Sequence, residues 1–235
     1  MSRDKLPQTS SRTELDAFLA KVAATPARRD AGARGRLVFA LDATASREPT
    51  WDRAAQLQAE MFAAAAGLGG LAVQLAWYRG YLEFSASTWV VDGAELLQQM
   101  TAVRCRAGQT QLQRVLEHVA AEHARQRVAA LVFVGDCVEE LPDALYGAAG
   151  RLGVLGVPAF MFLEGGDPLA ERVFREVARL SGGACCRFDA GSAAQLRELL
   201  RAVAVFASGG RRALEALGRE QGGAVRLLTD QLGRR

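Results

Sequence analysis

The chain has 235 residues, half of them apolar, and a formal net charge of +3, enough material for the buried core of one α/β domain. The charge is mild and the arginines are scattered, which argues against a nucleic-acid footprint. A polar, charged N-terminus argues against a secretory leader. Residues 1–34 read as a polar segment holding one helix. Ser11 and Glu14 form a capping box ahead of Leu15, Phe18, Leu19 and Val22 at helical spacing, and Pro26 with the following ARRDAGARGR stretch ends it.

From residue 36 strands and helices alternate. Strands are expected near 36–41, 71–77, 81–86, 128–134, 157–163 and 184–188, and helices near 51–67, 93–101, 111–126, 141–152, 168–180 and 192–207. The apolar stretch 61–78 is split by Gly67, Gly69 and Gly70, so it reads as the end of a helix and the start of a strand, not as a membrane span. Strands 36–41, 128–134 and 157–163 are apolar on both faces, the mark of a parallel sheet covered by helices. YRGYLEF around Gly80 reads as a tight turn, which makes one strand antiparallel at an edge. The expected fold is a doubly wound, mostly parallel α/β sheet with helices on both faces. The expected organisation is an N-terminal helical arm and linker (1–34), the α/β domain (35–207) and a C-terminal helical tail (208–235) with leucines on one face. Cys105, Cys137, Cys185 and Cys186 show no C-x-x-C spacing and read as reduced thiols of a cytoplasmic protein.

Three segments place oxygen side chains at strand ends or helix starts. The apolar strand 36–41 runs into Asp42, Thr44 and Ser46; Thr110 follows Gly108 ahead of an amphipathic helix; Asp136 follows the strand in LVFVGDC. In a doubly wound sheet all three meet at the carboxyl edge. Two carboxylates and three hydroxyls, without His or Cys, suit a hard cation of near-octahedral geometry. Helix capping is the simpler alternative: Ser46 or Thr50 for the helix near Trp51, Thr110 for the helix after it, Asp136 for the helix that follows.

This pattern resembles the von Willebrand factor A (VWA) domain with its metal-ion-dependent adhesion site, whose motif is D-x-S-x-S, then a Thr, then an Asp. The matching positions are Asp42, Thr44, Ser46, Thr110 and Asp136, in order, with Thr44 where Ser is usual, and the match spans 36–207. The resemblance implies an intracellular, bacterial-type binding module and not an enzyme. Those five residues would hold Mg²⁺, with Mn²⁺ or Ca²⁺ as alternatives. The ion would complete its coordination with an Asp or Glu of a partner protein. Family analogy adds AAA-type ATPase systems as a setting, without nucleic acid or membrane.

Two rivals share the residues. In a haloacid dehalogenase-like phosphatase Asp42 would attack phosphorus, and DATAS with GDCVEE partly fits. Against it, the sequence has no lysine after Lys21, no room for a hairpin after Ser46, and Thr44 where a second Asp is wanted. The other rival is a metal-free scaffold, which Thr44 and the nearby Arg47, Arg104 and Arg106 leave open. His118 and His123 lie about 140° apart on a helix, cannot share a metal, and read as a solvated face. Glu139 and Glu140 read as favouring the N-terminus of the helix after them, or as charge shaping the metal's face. Trp77, Trp89 and Phe84 read as packing residues.

Overall fold

The computed structural model describes residues 12–24, 35–48, 71–188 and 201–207. In chain order the elements are α1 (Arg12–Ala24), β1 (Gly35–Asp42), a 3-10 turn (Ala45–Arg47), β2 (Leu71–Arg79), β3 (Glu83–Val90), α2 (Gly93–Ala102), α3 (Leu112–Arg125), β4 (Ala130–Gly135), α4 (Pro142–Leu155), β5 (Ala159–Glu164), α5 (Pro168–Ser181) and β6 (Ala184–Phe188), with a last helical piece, α6, at 201–207. The expected helix 51–67, most of the expected helix 192–207 and the tail 208–235 lie outside the described residues.

The sheet runs β3-β2-β1-β4-β5-β6. Every neighbouring pair is parallel except β2 and β3. The antiparallel edge follows from the turn after Arg79, where Gly80 and Leu82 both take positive φ, 57° and 55°. Glycine adopts that conformation without cost and lets the chain reverse. The edge strand begins at Glu83, two residues later than the sequence pattern suggests, because the turn takes up 80–82.

Alternation along the central strands sorts side chains into two cores. Leu37, Phe39, Leu41, Val132 and Phe160 face one side, with Phe18 of α1, Leu96 and Met100 of α2, and Val203 and Phe206 of α6. Phe18 packs its ring against Phe160 and Phe162, at centroid distances of 6.1 and 5.5 Å. Val38, Ala40, Leu131, Phe133 and Met161 face the other side, covered by the apolar stripes of α3, α4 and α5. Both faces of the central strands are buried, which is why β1 and β4 read as unbroken apolar runs.

The chain leaves β1 toward β2 on one side and reaches β4 on the other. This reversal opens a crevice at the carboxyl ends of β1 and β4, the switch point at which doubly wound sheets bind ligands. Leu41 is in register with Val134. Asp42 ends β1, and Asp136 comes one residue after β4.

Candidate metal centre

Asp42 is fully buried. Its Oδ1 accepts the Thr44 N–H at 2.8 Å, folding the chain back immediately after the strand. Its Oδ2 accepts the Tyr78 hydroxyl at 2.9 Å. Tyr78 is the register partner of Asp42 on β2, is itself fully buried, and stacks on Phe133. Burial, above all, raises the Asp42 carboxyl above its ordinary value; hydrogen bonds from Thr44 and the charge of Arg47 oppose the rise, and Asp136 adds to it. Burial and the Asp42 charge also push Tyr78 well up, which keeps it a donor.

Asp136 and Cys137 complete a cluster. One ligand atom from each of Asp42, Asp136 and Cys137 lies within 4.8 Å of the others. Asp136 Oδ1 is buried and accepts no hydrogen bond. A buried carboxylate oxygen without a donor is costly, and a cation would satisfy it, so the residues present fit a divalent ion. The Cys137 thiol is pushed up to about 12 by burial, then by the neighbouring carboxylates.

The hydroxyls arrive from two loops. Thr44 Oγ1 and Ser46 Oγ lie 3.1 Å apart, Thr44 nearly buried and Ser46 exposed. Thr44 sits at the start of the 3-10 turn without a side-chain capping bond. Thr110 does not cap α3 either. Its Oγ1 accepts the Glu139 N–H at 2.9 Å, and its own N–H donates to the Glu139 carboxylate at 3.0 Å. This reciprocal pair ties the Thr110 loop to the Asp136 loop. Further back, the Arg106 N–H donates to Ala43 O and the Gly80 N–H to Arg106 O, so the loop lies along the end of β1 and the turn after β2. Gly108 makes that approach: a Cβ there would stand 1.9 Å from Gly80 O.

The helix after Glu139 and Glu140 begins at Pro142 with Leu141 at its cap, so Asp136 does not cap it, and the hydrogen bonds of the two glutamates go elsewhere. Glu140 instead accepts from Leu112 N–H at 2.9 Å and Gln113 N–H at 2.7 Å, capping α3 from a distant loop. The sequence reading also missed Tyr78 and Cys137. The signal for Cys137 was its place next to Asp136; for Tyr78 it was a polar-tipped aromatic at the end of the strand beside Asp42.

No protein-family model matches the sequence, and no curated protein does. Solved structures do match. The chain is similar to the SpRpn10 VWA domain at a TM-score of 0.56 and 11% identity, covering 74% of this chain and 95% of that one. It is similar to the vWF domain of the type V pili tip protein Mfa5 from Porphyromonas gingivalis at 0.54 and 10%, covering 74% and 95%. For the manganese-loaded TRAP protein of Plasmodium vivax the values are 0.50 and 13%, covering 71% and 73%. The fold is that of a VWA domain. These likenesses give no support to the phosphatase alternative.

On this VWA fold the arginines near the crevice are already engaged. Arg47 is fully buried and pairs through Nε with Glu164 Oε2 at 3.0 Å, at the end of β5. Arg106 and Arg79 both pair with Glu83, at 2.6 and 3.1 Å. Arg104 donates to Thr101 O at 2.9 Å. The histidines are not a solvated face. His118 is half-buried, bonds Gln74 Oε1 at 2.8 Å and packs on Phe84, and His123 Nδ1 accepts the Val128 N–H at 3.2 Å. Phe84 of β3 and Gln74 of β2 cover His118, and His123 turns to the chain just ahead of β4, where sequence periodicity shows only a polar stripe. No helix among the described residues is long and apolar enough to cross a membrane.

Proposed function

We propose that this chain is a metal-dependent protein-binding module, not an enzyme, that captures an Asp or Glu carboxylate of a partner protein at the carboxyl edge of its sheet. The observation that carries the reading is Asp136 Oδ1, a buried oxygen without a hydrogen-bond donor, clustered with Asp42 at the switch point of a VWA fold. Asp42, Thr44, Ser46, Thr110 and Asp136 are the residues that would hold the ion. Mg²⁺ is the default for such oxygens, with Mn²⁺ or Ca²⁺ as alternatives; the neighbour from Plasmodium vivax is itself manganese-loaded. When bound, the ion supplies positive charge and one exchangeable position for a carboxylate.

The remaining work belongs to the chain. Tyr78 and the Thr44 N–H orient both Asp42 oxygens. Glu139 fixes Thr110 by two bonds. Arg47, held by Glu164, lowers the cost of the buried Asp42 charge. The four free cysteines support a reducing compartment, and we place the protein in the cytoplasm. Fold analogy supports an adaptor role beside an AAA-type ATPase.

The test is calorimetric titration of Mg²⁺ and Mn²⁺ into metal-stripped full-length protein beside Asp42→Ala. One saturable site, lost in the variant, is expected, together with retention of Asp- or Glu-bearing peptides that EDTA abolishes. Peptide retention that ignores both EDTA and Asp42→Ala would sink the metal reading and leave the metal-free scaffold.

A further inference from the structure

The five-oxygen motif leaves one member of the cluster unused. Cys137 follows Asp136 directly, is half-buried and free of any disulfide, and its sulfur lies within 4.8 Å of ligand oxygens from both Asp42 and Asp136. A tetrahedral ion with bonds of about 2.0 Å to oxygen and about 2.3 Å to sulfur sets those ligand atoms roughly 3.5 Å apart. Asp42 is fixed at the end of β1, so closing the remaining gap, at most about an ångström, falls to the side chains of Asp136 and Cys137, which lie on the loop after β4.

We propose that Cys137 is a metal ligand, and that it turns this site into a mixed carboxylate–thiolate centre selecting a borderline ion such as Zn²⁺ or Co²⁺ over Mg²⁺. The inference rests on the reading of Asp42 and Asp136 as ligands and changes which ion they serve. Hard Mg²⁺ gains almost nothing from sulfur, whereas thiolate ligation favours Zn²⁺ and its neighbours. Ligation breaks the S–H bond, forms one sulfur–metal bond and releases the proton to solvent. The hydroxyls of Thr44 and Ser46 are neutral and weak donors, so one anionic sulfur outweighs them in choosing the ion.

Co²⁺ is the probe, because a thiolate ligand gives it a charge-transfer absorption in the near ultraviolet that oxygen ligands do not. Metal-stripped full-length protein, held reduced, is titrated with Co²⁺ as wild type, Cys137→Ser, Cys137→Ala and Asp42→Ala. Zn²⁺ affinity is read by competition with a chelator and Mg²⁺ affinity by calorimetry. The expected result is a charge-transfer band in wild type that both Cys137 variants lose. Zn²⁺ affinity should fall on the order of 10- to 100-fold in those variants, the scale that even an outer-shell partner carries, with Mg²⁺ affinity unchanged. Co²⁺ binding that needs Asp42 but shows no band, or a band that survives Cys137→Ser, overturns this inference and leaves the oxygen site standing. Absence of any Asp42-dependent binding of Mg²⁺, Mn²⁺ or Co²⁺ overturns both.

Discussion

Asp42 is the residue on which stability and binding pull in opposite directions. Its folded value is raised above the ordinary 3.8, chiefly by burial. A raised carboxyl favours the folded state while it is protonated, and that contribution is lost as pH climbs through the raised value. In the metal-free chain at neutral pH, Asp42 is therefore an unfavourable buried charge. Asp42→Asn keeps the shape and the acceptor for Thr44 N–H, and its amide can donate to the Tyr78 oxygen. The expected outcome is a metal-free variant that melts higher than wild type at pH 7, with the gap closing as pH falls toward 3.8, while metal binding is lost. Melting curves across that range check it. The placement of Asp42, Thr44, Ser46 and Asp136 at the carboxyl edge was legible in the sequence because strand ends and motif spacing are local. Tyr78 was not, because its bond to Asp42 depends on cross-strand register, and the strand expected at 71–77 stopped one residue short of it.

Among the elements, α3 shows how far a local reading reaches. Its apolar stripe of Leu112, Val115, Leu116 and Val119 gave its extent almost to the residue. Its cap was invisible, since Glu140 lies 28 residues downstream of Leu112 and reads locally as charge ahead of the next helix. Two backbone donors share that carboxylate, and burying them unmet costs about 1–3 kcal/mol. Glu140→Ala should lower the unfolding free energy by that amount in urea, and amide exchange at Leu112 and Gln113 should quicken before the rest of the helix. The loop ahead of α3 makes a second case. Gly108 passes the Gly80 carbonyl so closely that a Cβ would stand 1.9 Å from it, and backbone gives way poorly. Gly108→Ala should push the 103–110 loop off the end of β1 and carry Thr110 with it. Mn²⁺ affinity should drop at least several-fold while the far-ultraviolet circular dichroism stays that of the wild type.

For the whole molecule, sequence alone carried the doubly wound sheet, because strands apolar on both faces admit few other homes and Gly80 marks the one reversal. It did not carry the sides taken by the helices: Phe18 of α1 and Phe206 of α6 meet Phe160 on one face, a contact set by packing rather than by pattern. Asp42 and Asp136 sit at the ends of β1 and β4, the two central strands that feed both cores. An ion that binds the folded chain alone stabilises it by RT ln(1 + [L]/Kd), about 2.7 kcal/mol at one hundred times Kd. For a domain of this size that is roughly 5–10 °C in Tm. Wild type should gain that increment from Mg²⁺ or Mn²⁺ and lose it to EDTA, and Asp42→Ala should gain none. Scanning calorimetry at rising metal concentration tests the point without knowledge of any partner. A Tm that ignores metal in wild type would mean the oxygens at the sheet's edge hold each other and nothing else, and the metal-free scaffold would stand in place of the metal-dependent module.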